Sequence, residues 1–166
     1  AQIGNRVTIQ GVGSVKVKPE IAHLDLGIEI CDVSANKANQ EVNARLARLA
    51  ERMQALGVPQ DNIVPVDFSL YPYSTERGVT FCALNEVMVT TDHIEAERIG
   101  ELLDQAIEAG VNKVHGVTFT VKDKTRAREE AIRLAYQHAQ AQMEQLAKLL
   151  GESPVKVVEV NVRVND

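Results

Sequence analysis

From Ile21 to Cys31 the chain alternates. Ala22, Leu24, Leu26, Ile28 and Ile30 fall on one side, and His23, Asp25, Gly27 and Glu29 on the other. A period of two predicts a strand with one dry and one wet face. Arg6 to Val17 also reads as strand, with Val7, Ile9 and Gly11, then Val15 and Val17, sharing faces. A turn at Lys18-Pro19-Glu20 would join the two into an antiparallel hairpin.

The period then changes. Ser34 is a good helix N-cap, and Val42, Leu46, Leu49, Met53 and Leu56 recur at steps of three and four before Gly57. That is an amphipathic helix closed by a glycine suited to a left-handed end. Residues 62–73 read as strand, and Pro65 and Pro72 mark it as an edge or irregular one. Ser74 to Gly78 form a polar loop, and Val79 to Thr91 return as strand. Asp92 is the expected cap of a second helix, Ile94 to Ala109, with a stripe of Ile99, Leu102, Leu103, Ala106 and Ile107. Lys113 to Val121 is a further strand. Asp123 caps a long helix to Leu150, striped by Ile132, Ala135, Ala139, Met143, Leu146 and Leu150. Val155 to Val164 is the last predicted strand.

The expected order is ββ-α-ββ-α-β-α-β in one α+β domain over residues 1–166. Strands without an intervening helix pair as hairpins, and helical crossovers favour parallel neighbours. The expectation is a mixed sheet of about six strands. Each helix has one apolar stripe and each alternating strand one dry face, so the three helices should cover a single side. The reverse side keeps His23, Asp25, Glu29, Asp67, Ser69 and Tyr71, and must meet water or another subunit.

Composition sharpens this reading. Hydrophobic residues make up 45% and charged residues 25% of 166, while aromatics are only 4% and Trp is absent, so the core is aliphatic. A net charge of −5 argues against an electrostatic grip on nucleic acid. No apolar run approaches the ~20 residues that span a bilayer. The chain begins with Ala1-Gln2, as signal-peptide removal or trimming would leave it. Cys31 and Cys82 have neither zinc nor C-x-x-C spacing. They read as half-buried strand residues, or as one disulfide in an oxidising compartment.

Motifs for chemistry are sparse. Gly11-Val12-Gly13 lacks the third glycine and the following helix of a dinucleotide loop. Its glycines read as a bulge or a close backbone approach. There is no H-E-x-x-H, no P-loop and no G-x-S-x-G. The chain therefore reads as non-enzymatic, and no cofactor is expected. His23, Asp25 and Glu29 share the wet face of one strand and form the alternative candidate, a metal- or small-ligand site. Tyr71, Tyr73 and Phe81 flank the loop at 74–78, where aromatics suit a contact with a partner or cover the sheet edge.

Several segments carry a family resemblance. They are V-T-I-Q-G-V-G-S-V-K-V-K-P-E-I-A (7–22), L-G-V-P-Q-D-N-I (56–63), F-S-L-Y-P (68–72), F-C-A-L-N-E-V-M-V (81–89) and A-G-V-N-K-V-H-G-V-T-F (109–119). In this order they resemble the SIMPL domain family, which includes bacterial cell-envelope proteins of oxidative-stress defence. The resemblance implies a periplasmic or secreted protein without assigned catalytic residues, in a family where some members form large homo-oligomers. Cys31 and Cys82 stand where that family's pattern suggests polar residues, so the resemblance implies no disulfide.

Overall fold

A computed structural model describes residues 6–151 and 160–164. The chain forms two compact units, one spanning Pro19–Lys122 and the other made of Ala1–Lys18 with Asp123–Asp166.

The central unit holds β1 (Ile21–Asp32), α1 (Ala35–Ala55), β2 (Ile63–Thr75), β3 (Gly78–Thr91), α2 (Ala96–Ala109) and β4 (Lys113–Thr120). Its strands lie in the order β2-β3-β1-β4, and every neighbouring pair is antiparallel. This is the split β-α-β-β-α-β arrangement of ferredoxin-like folds.

The expected mixed sheet of about six strands and the expected element order are therefore corrected. Each helical crossover does return the chain parallel to the strand it left. It skips one position, however, and an antiparallel strand fills the gap: β3 between β1 and β2, and β1 between β3 and β4. The hairpin predicted between residues 6–17 and β1 does not form. Both edges of β1 are already taken, by β3 and β4. Of the last predicted strand, residues 155–159 lie outside the described residues, and 160–164 carry no strand.

The dry face of β1 is as the alternation requires. Ala22, Leu24, Leu26 and Ile28 are fully buried against Ala83, Val87 and Val89 of β3. Ala38, Val42, Leu49 and Met53 of α1, and Ile99, Leu102, Ala106 and Ala109 of α2, complete one core on that side. Burying each large aliphatic side chain here contributes about 1.5–3 kcal/mol. Ser34 caps α1 by accepting from the Lys37 amide at 3.2 Å. Gly57 follows the helix with φ of 89°, the left-handed geometry that a side chain would strain. The expected cap of α2 is corrected: Glu95, not Asp92, precedes the helix, and its side chain makes no capping bond. The helical layer lies over β1 and β3. No β2 residue belongs to the buried core, and only Ile63 of that strand packs against it. Ile107, expected in the stripe of α2, is exposed.

In the second unit, α3 (Lys124–Leu150) is capped by Asp123, which accepts from the Thr125 amide at 2.9 Å. Among the described residues before Lys18, Gly11 to Gly13 run against this helix as an arm. A Cβ on Gly11 would overlap the Ala135 carbonyl, and one on Gly13 the Ala131 carbonyl. The two glycines thus mark a close backbone approach, to a helix instead of a strand. Val12 N–H donates to His138 Nδ1 at 3.0 Å and holds the arm's register. The apolar stripe expected on α3 is not buried: no described residue of this helix is buried, and Ile132 and Leu150 are exposed.

Candidate functional site

The reverse face of the central sheet is open, and its polar side chains are organised into bridges between strands. Register places His23, Asp25, Gly27, Glu29 and Cys31 of β1 on it. Opposite them on β3 stand Thr90, Met88, Glu86, Leu84 and Cys82. Asp67, Ser69, Tyr71 and Tyr73 of β2 share the face.

The principal bridge crosses all four strands. The Tyr71 hydroxyl of β2 donates to Oε1 of Glu29 on β1, reaching over β3. The Lys113 ammonium of β4 meets Oε2 of the same carboxylate. Asn112 sets this up. Its Oδ1 accepts from the Glu29 amide at 2.9 Å and its Nδ2 donates to the Glu29 carbonyl at 2.7 Å. The side chain thus pairs with β1 as a strand backbone would, and the residue after it reaches Glu29. The Lys113 ammonium, with the Tyr71 hydroxyl second, holds the Glu29 carboxyl below the usual glutamate range. The same contacts push the Tyr71 phenol and the Lys113 amine up.

A second pair lies one step along the strands. His115 Nε2 donates to Glu86 Oε2 at 2.8 Å. Gly27 leaves the room for it, because a Cβ there would come within 3.0 Å of that carboxylate oxygen. His23 is held by two hydroxyls, Thr90 Oγ1 at 3.1 Å from Nδ1 and Thr120 Oγ1 at 2.9 Å from Nε2. The hydroxyls can donate or accept, so either ring tautomer is satisfied.

Cys31 and Cys82 face each other in the β1–β3 register and are joined by a disulfide. Of the two readings left by the sequence, the structure takes the bonded one. The bridge sits beside the last β1–β3 pair, Asp32 with Phe81, where the β2–β3 hairpin leaves the body of the sheet.

The structure separates several residues that sequence had grouped. His23, Asp25 and Glu29 share a face, but His23 engages threonines while Glu29 engages Tyr71 and Lys113. Among the described residues, the group with three candidate donor atoms within 4.8 Å of one another is Glu29, Cys31 and Cys82. Tyr71 and Tyr73 lie on the open face, whereas Phe81 pairs with Pro72 and points to the helical side. The expectation had not included Lys113, Glu86, Asn112 or the partnership of Tyr71 with Glu29. Glu86, the only charged residue of β3, was the one local signal for any of these.

A ferredoxin-like α+β sheet with an open polar face and a disulfide at a hairpin root defines the structural class. Residues 7–166 match the family model SIMPL, described as a protein of unknown function (DUF541), and the chain belongs to that family. It is 25% identical over 169 residues to the uncharacterized protein YggE of Edwardsiella ictaluri, covering 98% of this chain and 70% of that one. It is 24% identical over 149 residues to YggE of Escherichia coli K12, covering 87% of this chain. The chain spans 60% of that relative's length. Among solved structures, the C-terminal domain of MgtC from Mycobacterium tuberculosis aligns with 64% of this chain and 92% of its own. Its identity is 10% and its TM-score 0.24, too low to argue a shared fold. Among the described residues, no helix is long and apolar enough to cross a membrane.

Proposed function

We propose that this chain is a non-enzymatic, self-associating scaffold of the bacterial cell envelope, serving oxidative-stress tolerance. The observation that carries the reading is the state of β2. This strand is 13 residues long, lies at the sheet edge and is left bare by the helical layer. Val64, Val66, Phe68, Leu70 and Tyr73 on it are all more than two-fifths exposed. Apolar exposure of this kind along one element marks an interaction surface.

The occupant is a second copy of the chain. Pro65 and Pro72 remove amide donors, and a bulge lies between Pro65 and Asp67. These features discourage an extended peptide from adding to the edge. They leave side-chain packing against a preformed surface, and most folded assemblies are built from identical chains. Phe68 and Leu70 share the helix-side face with Pro72, so they are the expected centre of the contact.

Sedimentation at micromolar concentration tests the reading. The expected particle is a multiple of the 18.2 kDa chain, and Phe68→Asp with Leu70→Asp should return it to monomer. A monomer of the unmodified protein across salt and pH would overturn the proposal.

A further inference from the structure

The group Glu29, Cys31 and Cys82 has a use that self-association does not draw on. The disulfide sulfurs and a Glu29 oxygen already lie within 4.8 Å of one another. While the bond is closed, the sulfurs carry no charge. The thiolate is the metal-binding form of cysteine. We propose that reduction of the Cys31–Cys82 bond opens a binding site for a tetrahedral divalent cation of the zinc class, with Cys31, Cys82 and Glu29 as its protein ligands.

The reductant is a dithiol. It loses two protons and two electrons and becomes a disulfide, while the Cys31–Cys82 bond breaks and each sulfur takes up one electron and one proton. Cation binding then releases both thiol protons to solvent. The three ligands are Sγ, Sγ and a carboxylate oxygen, and water fills the fourth position of the tetrahedron.

Four features of the face fit this role. The two cysteines are direct cross-strand partners in β1 and β3, so their separation is set by the ladder and survives reduction of the bond. Glu29 precedes Cys31 by two residues and therefore projects from the same face. Its carboxylate is oriented from outside by Tyr71 at Oε1 and Lys113 at Oε2. A carboxylate offers about four lone-pair sites, so each oxygen keeps one to give, and outer partners of this kind orient metal ligands. Finally, the charges close: two thiolates and one carboxylate against a divalent cation leave one negative charge, which the Lys113 ammonium offsets. Two thiolates in the set select zinc or cobalt over magnesium or calcium.

The experiment compares one protein in two redox states. The chain is reduced with dithiothreitol, freed of it anaerobically, shown by thiol titration to carry both free cysteines, and titrated with Co²⁺. The expected result is one Co²⁺ per chain, with thiolate-to-cobalt charge-transfer absorption and the visible bands of a tetrahedral site, displaced by Zn²⁺. The oxidised protein should show neither signal. Glu29→Gln, which leaves both thiols in place, should weaken binding about tenfold or more, and Cys31→Ser, which leaves one thiolate, should cut the charge-transfer absorption to about half or less. A reduced wild-type protein without that band overturns the proposal, as does a Glu29→Gln variant that binds as tightly as wild type. The redox comparison needs no substitution, so misfolding of a variant does not blunt it.

Discussion

Tyr71 and Glu29 are joined by a hydrogen bond although their strands are not neighbours, because β3 lies between β2 and β1. The phenol spans that strand and ends on a carboxylate that Lys113 holds from the other side. One bridge thus ties both edge strands to the centre of the sheet.

This bridge makes stability depend on pH at both flanks. The Glu29 carboxyl is lowered by folding, so its contribution is full above the ordinary glutamate range and is lost as pH falls through the depressed folded value. The Tyr71 phenol and Lys113 amine are raised, so theirs is full below their ordinary values and is lost as pH rises through the raised ones. Urea midpoints of wild type and Glu29→Gln should differ by a constant amount near neutrality. The difference should shrink toward strongly acid pH. Carboxyl titration by NMR should place Glu29 higher in Tyr71→Phe than in wild type.

Breaking the disulfide should cost about 2–4 kcal/mol of unfolding free energy, because it closes a loop of 51 residues in the unfolded chain. Denaturant unfolding with and without reductant measures this. The Cys31–Cys82 bond lies at the root of the hairpin, so amide exchange should quicken most at residues 72–81. An exchange increase spread evenly over β1 to β4 would contradict that placement.

Leu26 is fully buried where β1 and β3 meet α1 and α2. Leu26→Ala should destabilise the central unit by about 2–5 kcal/mol through lost transfer energy and a residual cavity. Ile107→Ala, on the exposed side of α2, should change stability by less than about 0.5 kcal/mol. Thermal or urea unfolding of the pair checks the assignment of faces.

Gly11→Ala should detach the arm from α3. The added methyl would overlap the Ala135 carbonyl, which belongs to a helix backbone and cannot swing aside. The loss should be about 1–3 kcal/mol, as for other overpacked sites. The sharpest readout is the Val12 amide, whose exchange should accelerate once its bond to His138 is lost. Unchanged protection of that amide would show that the arm accommodates a side chain.

What the chain decided alone were the local periods. Alternation from Ile21 to Ile30 named the core side of β1 residue by residue. Pro65 and Pro72 marked β2 as an edge or irregular strand, because a residue without an amide donor is poorly tolerated between two partners. Ser34, Gly57 and Asp123 marked helix ends through cap chemistry that acts within one turn.

Only the tertiary structure decided which strands meet. Periodicity says which way a side chain points and nothing about which neighbour an edge will find. The order β2-β3-β1-β4 therefore overturned the mixed sheet expected from connectivity, and residues 6–17 left the strand pattern to lie on α3. The same limit applied to the face. Glu29 was legible as a wet-side residue, but its partners Tyr71 and Lys113 come from strands brought together by pairing across 42 and 84 positions of chain, and Cys31 meets Cys82 across 51. Such contacts are set by the ladder of backbone hydrogen bonds over the whole sheet, and no short stretch of sequence contains them.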